Sequence, residues 1–341
     1  MKNSIDIELI GTTIDLSAIF SFTSEKSLNG LTNLETYIGH AFNLTLQRDG
    51  IFGGWAKVWQ HDGRYNLKIS SPHHDLSAYE EKINDFLAAA HEALYLLKVN
   101  QPKIDQLIKS TGKQMWFILP FETAMASTRV VQLLHFPPID SYDYTDYLFS
   151  PTNSRWENLL GYNGVKGDNF SELESIVDCV PLGAPGGDNE GINPFNDLFS
   201  PYVKMMLQAR LRTYKKITVP LIAYGSPVHY WLAKNFADQL KEVLTNMTFL
   251  EIDFFGDGTL TPVVCAHHPS EYLYYSDKPN TAEETLILTE DLVAAGWQAR
   301  MAQHPDGPSR KVLDSLMAYW KNNPKIPQIM MQEDQTYNFN L

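Results

Sequence analysis

Asp178 stands inside the apolar run Ile176-Val177-Asp178-Cys179-Val180-Pro181-Leu182. A carboxylate there is costly unless it is paired, so it is either a satisfied buried group capping a neighbouring loop or an acceptor turned to a ligand. An ionised carboxylate accepts hydrogen bonds and donates none, which restricts what that ligand can present. His135 is a titratable group at the end of a second run, Val130-Val131-Gln132-Leu133-Leu134-His135-Phe136. Asp140, Asp143 and Asp146 follow it, each a solvated loop acid or a candidate general base. Asn153 comes directly after Pro151-Thr152 at the start of a predicted helix, where a plain N-cap needs no further role. Proton transfer, water orientation and hydrogen bonding to a polar ligand edge are the chemistry this set supports.

Other kinds of site are missing from the sequence. No Gly-x-x-x-x-Gly-Lys-Ser/Thr loop occurs, Gly183-Ala184-Pro185-Gly186-Gly187 lacks the dinucleotide-binding spacing, and His-Glu-x-x-His is absent. His73-His74 and His267-His268 are adjacent rather than helically spaced, a poor arrangement for holding one metal ion. Gly225-Ser226 lacks the nucleophile elbow of serine hydrolases. Cys179 and Cys265 are the only cysteines, which excludes a disulfide framework and a cysteine-rich zinc site and fits a reducing cytoplasm. The expectation is no metal and no cofactor.

The elements that must position these residues follow from periodicity. Residues 5–70 read as short β-leaning runs, with Asp62-Gly63 as a type I′ turn between two alternating segments. Over residues 79–99 the period becomes helical, with Ile83, Phe86, Leu87, Ala90, Leu94 and Leu97 on one stripe, and a second helical stretch follows Asn100. Beyond the apolar run 115–119, strands at 130–136, 176–182, 219–224 and 262–266, with 249–254 less distinct, alternate with helices at 153–160, 202–214 and 228–244. A further helix is expected at 309–320. Alternation of this kind predicts an α/β fold, a three-layer α/β/α core around a central, mainly parallel four-stranded sheet over residues 128–285. An N-terminal α+β unit (1–127) and a C-terminal helical extension (286–341) complete the expected organisation. Ligands of such sheets bind at the carboxyl ends of the strands, where His135 falls, so function is expected in the loops after these runs.

Four strand ends together resemble the uracil-DNA glycosylase superfamily over residues 128–280. Val130 to Pro138 is similar to its first strand and motif. Tyr147-Leu148-Phe149-Ser150-Pro151-Thr152-Asn153-Ser154-Arg155-Trp156 is similar to a stretch of the hypoxanthine-type and mismatch-specific branches. Ile176 to Leu182 resembles the second strand, Leu221-Ile222-Ala223-Tyr224-Gly225 the third, and Pro262 to Ser270, ending in His268-Pro269-Ser270, the fourth. The first motif departs from the family, because His135-Phe136-Pro137-Pro138 stands where a polar Asn or Asp is usual.

The resemblance implies a DNA partner, a base flipped from the stack and hydrolysis of its N-glycosidic bond, with fixed dipoles stabilising a cationic sugar and an anionic leaving base. It makes Asn153 the residue that holds water or sugar, His268 the group that meets the leaving base, and His135 and Asp140 the remaining candidates for activating water. Asp178 then takes the base-reading place where uracil-specific members carry Asn. Being acceptor-only, it favours an exocyclic amine such as cytosine N4 over the uracil O4 acceptor, so a cytosine-like or bulky modified base is expected. Tyr147 or Phe149 would stack on the base, Ser270 would grip the backbone, and Tyr272 would wedge into the vacated stack, although Tyr272, Tyr274 and Tyr275 serve equally as packing. No Lys stands in the motifs to form an imine, which implies a monofunctional enzyme of base excision or of defence against modified phage DNA. A non-catalytic nucleic-acid-binding module of the same fold is the alternative, and a hydrolase of free nucleosides a third.

Charge bears on this expectation. With 40 acidic and 27 basic residues the net charge is −13, which argues against a polyanionic partner. Yet no acid lies between Asp197 and Asp238, where Lys204, Arg210, Arg212, Lys215, Lys216 and Lys234 fall, so a phosphate-binding patch is expected there, a solvated helix face being the other use of such a run. The chain opens on no apolar leader and its longest helical apolar stretch, 86–99, is short for a bilayer, so a cytoplasmic protein without membrane contact is expected.

Overall fold

The computed structural model describes residues 2–10, 39, 42–43, 45–46, 51–62, 64–112, 115–117, 130–136, 174–183, 192–212, 219, 221–240, 244 and 248–266. Asp62 adopts φ 50°, the left-handed value that a type I′ turn demands, and strands β2 (Trp55–His61) and β3 (Arg64–Ser70) pair antiparallel on either side of it. β1 (Ser4–Ile10) adds antiparallel to β3, giving the order β1-β3-β2. Alternation turns Ile5, Ala56, Val58, Leu67 and Ile69 into the core.

Helix α1 (Ser77–Thr111) begins where Asp75 accepts the Ser77 hydroxyl at 2.8 Å and the Ser77 N–H at 3.1 Å, bonds that hold its carboxyl below the ordinary 3.8. It ends at Gly112, whose φ of 64° suits a glycine, and whose N–H donates to Lys109 O. The two helical stretches expected on either side of Asn100 are therefore one helix, with Pro102 inside it. Ile104 and Ile108 are buried past the proline, each stabilising by about 1.5–3 kcal/mol. Together they offset the roughly 3 kcal/mol that a proline costs a helix interior.

The second sheet has five strands, β5 (Val130–Leu134), β6 (Glu174–Asp178), β8 (Leu221–Tyr224), β9 (Thr248–Ile252) and β10 (Thr261–Ala266), in the order β6-β5-β8-β10-β9. β6, β5, β8 and β10 run parallel to their neighbours, whereas β9 pairs antiparallel with β10 and closes one edge. The sheet thus has one strand more than the four expected, because Thr248–Ile252, within the less distinct run expected at 249–254 but for its first residue, forms half of a hairpin with β10. That hairpin turns through Asp253, which accepts the N–H groups of Phe255, Gly256 and Gly258 at 2.8–3.0 Å. The mixed α/β character is as expected.

Helix α2 (Asn196–Leu211) starts six residues earlier than expected, its first turn continuing a 3₁₀ turn at Asn193–Phe195, so that Pro201 lies within it. Helix α3 (Ser226–Asn235) is shorter than expected: the Asn235 amide donates to Trp231 O at 2.9 Å and the backbone leaves helical geometry at Phe236. The short pair β4 (Trp116–Phe117) and β7 (Leu182–Gly183) is antiparallel, and α1 packs on α2, so contacts join the segments on either side of residue 127. One apolar cluster runs from Ile5 through Phe86 and Met206 to Cys265. The helices expected at 153–160 and 309–320 lie outside the described residues. No helix among the described residues is long and apolar enough to cross a membrane.

Candidate functional site at the carboxyl edge of the parallel sheet

Parallel register sets the geometry of this edge. Asp178 pairs with Leu134, the neighbouring pairs place Leu134 beside Tyr224, and Tyr224 pairs with Ala266. Paired residues share a face, so Asp178, Leu134, Tyr224 and Ala266 form the last rung on one face of the sheet. One rung back on that face stands Gln132, flanked by Ile176 and Ile222. Asp178, Gln132 and Tyr224 are all buried. A carboxylate, an amide and a phenol thus lie on one face of the sheet at and just before the strand ends.

Past that rung the ladder bends. Cys179 N–H donates to Leu134 O at 2.8 Å and Val180 N–H to His135 O at 2.9 Å, which fixes the His135 backbone beside the end of β6. The His135 ring is buried and meets Phe136 edge-on, with centroids 5.2 Å apart. Burial and the Asp178 charge push the Cys179 thiol well above its ordinary 9.0, so it is no nucleophile. At the end of β8, Gly225 takes φ 83°, ψ 159°, a conformation that only glycine adopts readily, and α3 starts at once. That turn brings the positive end of the α3 dipole to the same edge. The buried His229 of α3 donates Nε2–H to Ala223 O at 3.0 Å and holds the helix to its strand.

Of the residues singled out from sequence, His135 and Asp178 therefore reach the edge. Asn153, Asp140, Tyr147, Phe149, His268, Ser270, Tyr272, Lys215 and Lys216 lie outside the described residues. Gln132 and Tyr224 went unremarked as site residues. A lone amide in the apolar run of β5 was the available signal, for a buried strand accepts a polar side chain only where it is used.

Of the expected phosphate-binding patch, Lys204, Arg210, Arg212 and Lys234 are described, and each has a partner within the protein. Arg210 is 1% exposed and its guanidinium lies 4.4 Å over the Phe86 ring, between α2 and α1, out of reach of a phosphate. Arg212 pairs with Asp257 and lies 3.8 Å over Phe255. Lys204 donates to Asn235 O at 3.2 Å and sits 5.2 Å from the centre of Phe236, while Lys234 pairs with Asp197 at 2.5 Å. The stretch is free of acids only in sequence, because the fold returns Asp197 and Asp257 to its cations. No group of three or more metal-ligating side chains occurs among the described residues. Comparison with family models and with curated proteins finds no match to this chain.

Proposed function

We propose that the protein is a monofunctional DNA glycosylase that flips a modified base out of the stack and hydrolyses its N-glycosidic bond, in base excision or in defence against modified phage DNA. In this reading the five-stranded sheet is the middle layer of an α/β/α core, and the base enters at the carboxyl edge. The observation that carries the reading is the position of Asp178, buried at the end of β6 on the face shared with Gln132 and Tyr224. An acceptor-only carboxylate there selects a base edge with an exocyclic amine, as a cytosine-type base presents. Asn153 and His268 complete the machinery, holding water and meeting the charge of the leaving base. With Arg210 buried and Arg212 and Lys234 ion-paired, base recognition carries more of the affinity than backbone contacts do.

The test is incubation with duplexes carrying modified cytosines, uracil, hypoxanthine or mismatched thymine, followed by alkaline cleavage of abasic sites. Abasic product from the cytosine-type duplexes is expected. Product from none of them refutes the enzyme, and DNA bound without product leaves a binding module.

A further inference from the structure

The outer face of the N-terminal sheet exposes aromatic and cationic side chains side by side. Alternation in β2 sends Trp55, Lys57 and Trp59 to the face opposite the core, and register places Ser70, Lys68 and Asn66 of β3 beside them. Trp55 is 45% exposed, Lys57 is exposed, and Trp59 and Lys68 are half-buried. Phe52, in the turn before β2, is 52% exposed. Two indoles spaced about 13 Å apart along one strand thus flank an ammonium group.

The charges on this face are unbalanced where the indoles lie. Lys57 and Lys68 are directly opposed across the β2/β3 ladder, a like-charge pairing that is destabilising in a sheet. Among the described residues neither takes part in an ion pair, although Asp6 of β1 stands in register with Lys68 on its far side. Asp6 and Glu8 make the β1 side of the face acidic, which confines an anionic ligand to the β2/β3 side.

We infer that the β2/β3 side of this face binds a single-stranded nucleic acid, with bases stacked on Trp55 and Trp59 and phosphate held by Lys57 and Lys68. A phosphate between the opposed lysines removes their repulsion, and bases whose faces are unstacked offer the π-surfaces that exposed indoles accept. A duplex hides those faces. A neutral sugar stacks on indole but leaves the two ammonium groups unanswered. The inference is independent of the glycosylase reading, since it is tested by binding without turnover.

The experiment is fluorescence anisotropy of the full chain with end-labelled oligo-dT and oligo-U of about 12 nucleotides, within the span one such platform covers. A matched duplex and a glucan oligosaccharide serve as competitors, and comparison of the two labelled strands tells a DNA ligand from an RNA ligand. Trp55→Ala and Trp59→Ala are each expected to weaken binding about fivefold or more. Lys57→Gln and Lys68→Gln should each reduce the slope of log affinity against log salt by about 0.7. Lys103→Gln, which removes an exposed charge from α1, should bind as the wild type does. Absence of binding, unchanged affinity in the exposed Trp55→Ala variant, or displacement by the duplex or the oligosaccharide overturns the inference.

Discussion

Replacing Lys82 by methionine tests how the two halves of the molecule are joined. Lys82 is 3% exposed in α1, and its Nζ donates to Ala209 O at 2.6 Å and to Arg212 O at 2.5 Å. These carbonyls belong to the last turn and C-cap of α2, where the helix dipole also favours a cation. Each bond from a charged donor contributes about 1.5–3 kcal/mol, so the variant forfeits about 3–6 kcal/mol of interaction. Methionine keeps the packing of the stem, and removing a buried ammonium returns several kcal/mol of desolvation. The net expectation is a loss of about 2–3 kcal/mol. Urea unfolding followed by far-UV circular dichroism should show a lower midpoint at unchanged slope. Amide exchange should accelerate in the last turn of α2. A Lys82→Met midpoint equal to or above that of the wild type would refute the argument that the ammonium is a net stabilising clamp.

Three further outcomes are expected. Asp178→Asn adds a donor at the position proposed to read the base, so in the excision assay the ratio of cytosine-type to uracil product should fall by about tenfold; an unchanged ratio removes Asp178 from base reading. The Cys179 thiol is raised by burial and by the Asp178 charge, and the Cys265 thiol is pushed up to about 12 by burial, so a thiol reagent should label neither until the chain is unfolded. Asp257 is held at about 2, against an ordinary 3.8, by the Thr259 hydroxyl and the Arg212 guanidinium. A depressed carboxyl stabilises above its unfolded value and loses that contribution as pH falls through its folded one, so thermal stability should decline less steeply with acid in Asp257→Asn than in the wild type.

Legibility in the sequence tracked how local the governing physics is. The Asp62 turn and the apolar stripe of α1 were readable because turn chemistry and helical period act over a few residues. Pro102 and Pro201 lie beside the helix limits expected at Asn100 and 202, yet both helices run through them, because tertiary burial of neighbours such as Ile104 and Met206 outweighs one lost bond. Asp178 announced itself by being a charge in an apolar run. Its companions Gln132 and Tyr224 did not, since only the register of three strands distant in sequence puts them on one face. Charge partners are hidden for the same reason: Asp257 lies 45 positions from Arg212 in the chain, yet is its ion-pair partner.

The pairing of β5 with β8 joins Val131 to Leu221 across 90 positions of chain. Closing so long a loop has an entropic cost, and pairings this distant in sequence slow folding. The rung that carries Asp178 and Tyr224 spans that seam. The candidate edge therefore exists only where strands distant in sequence have already paired.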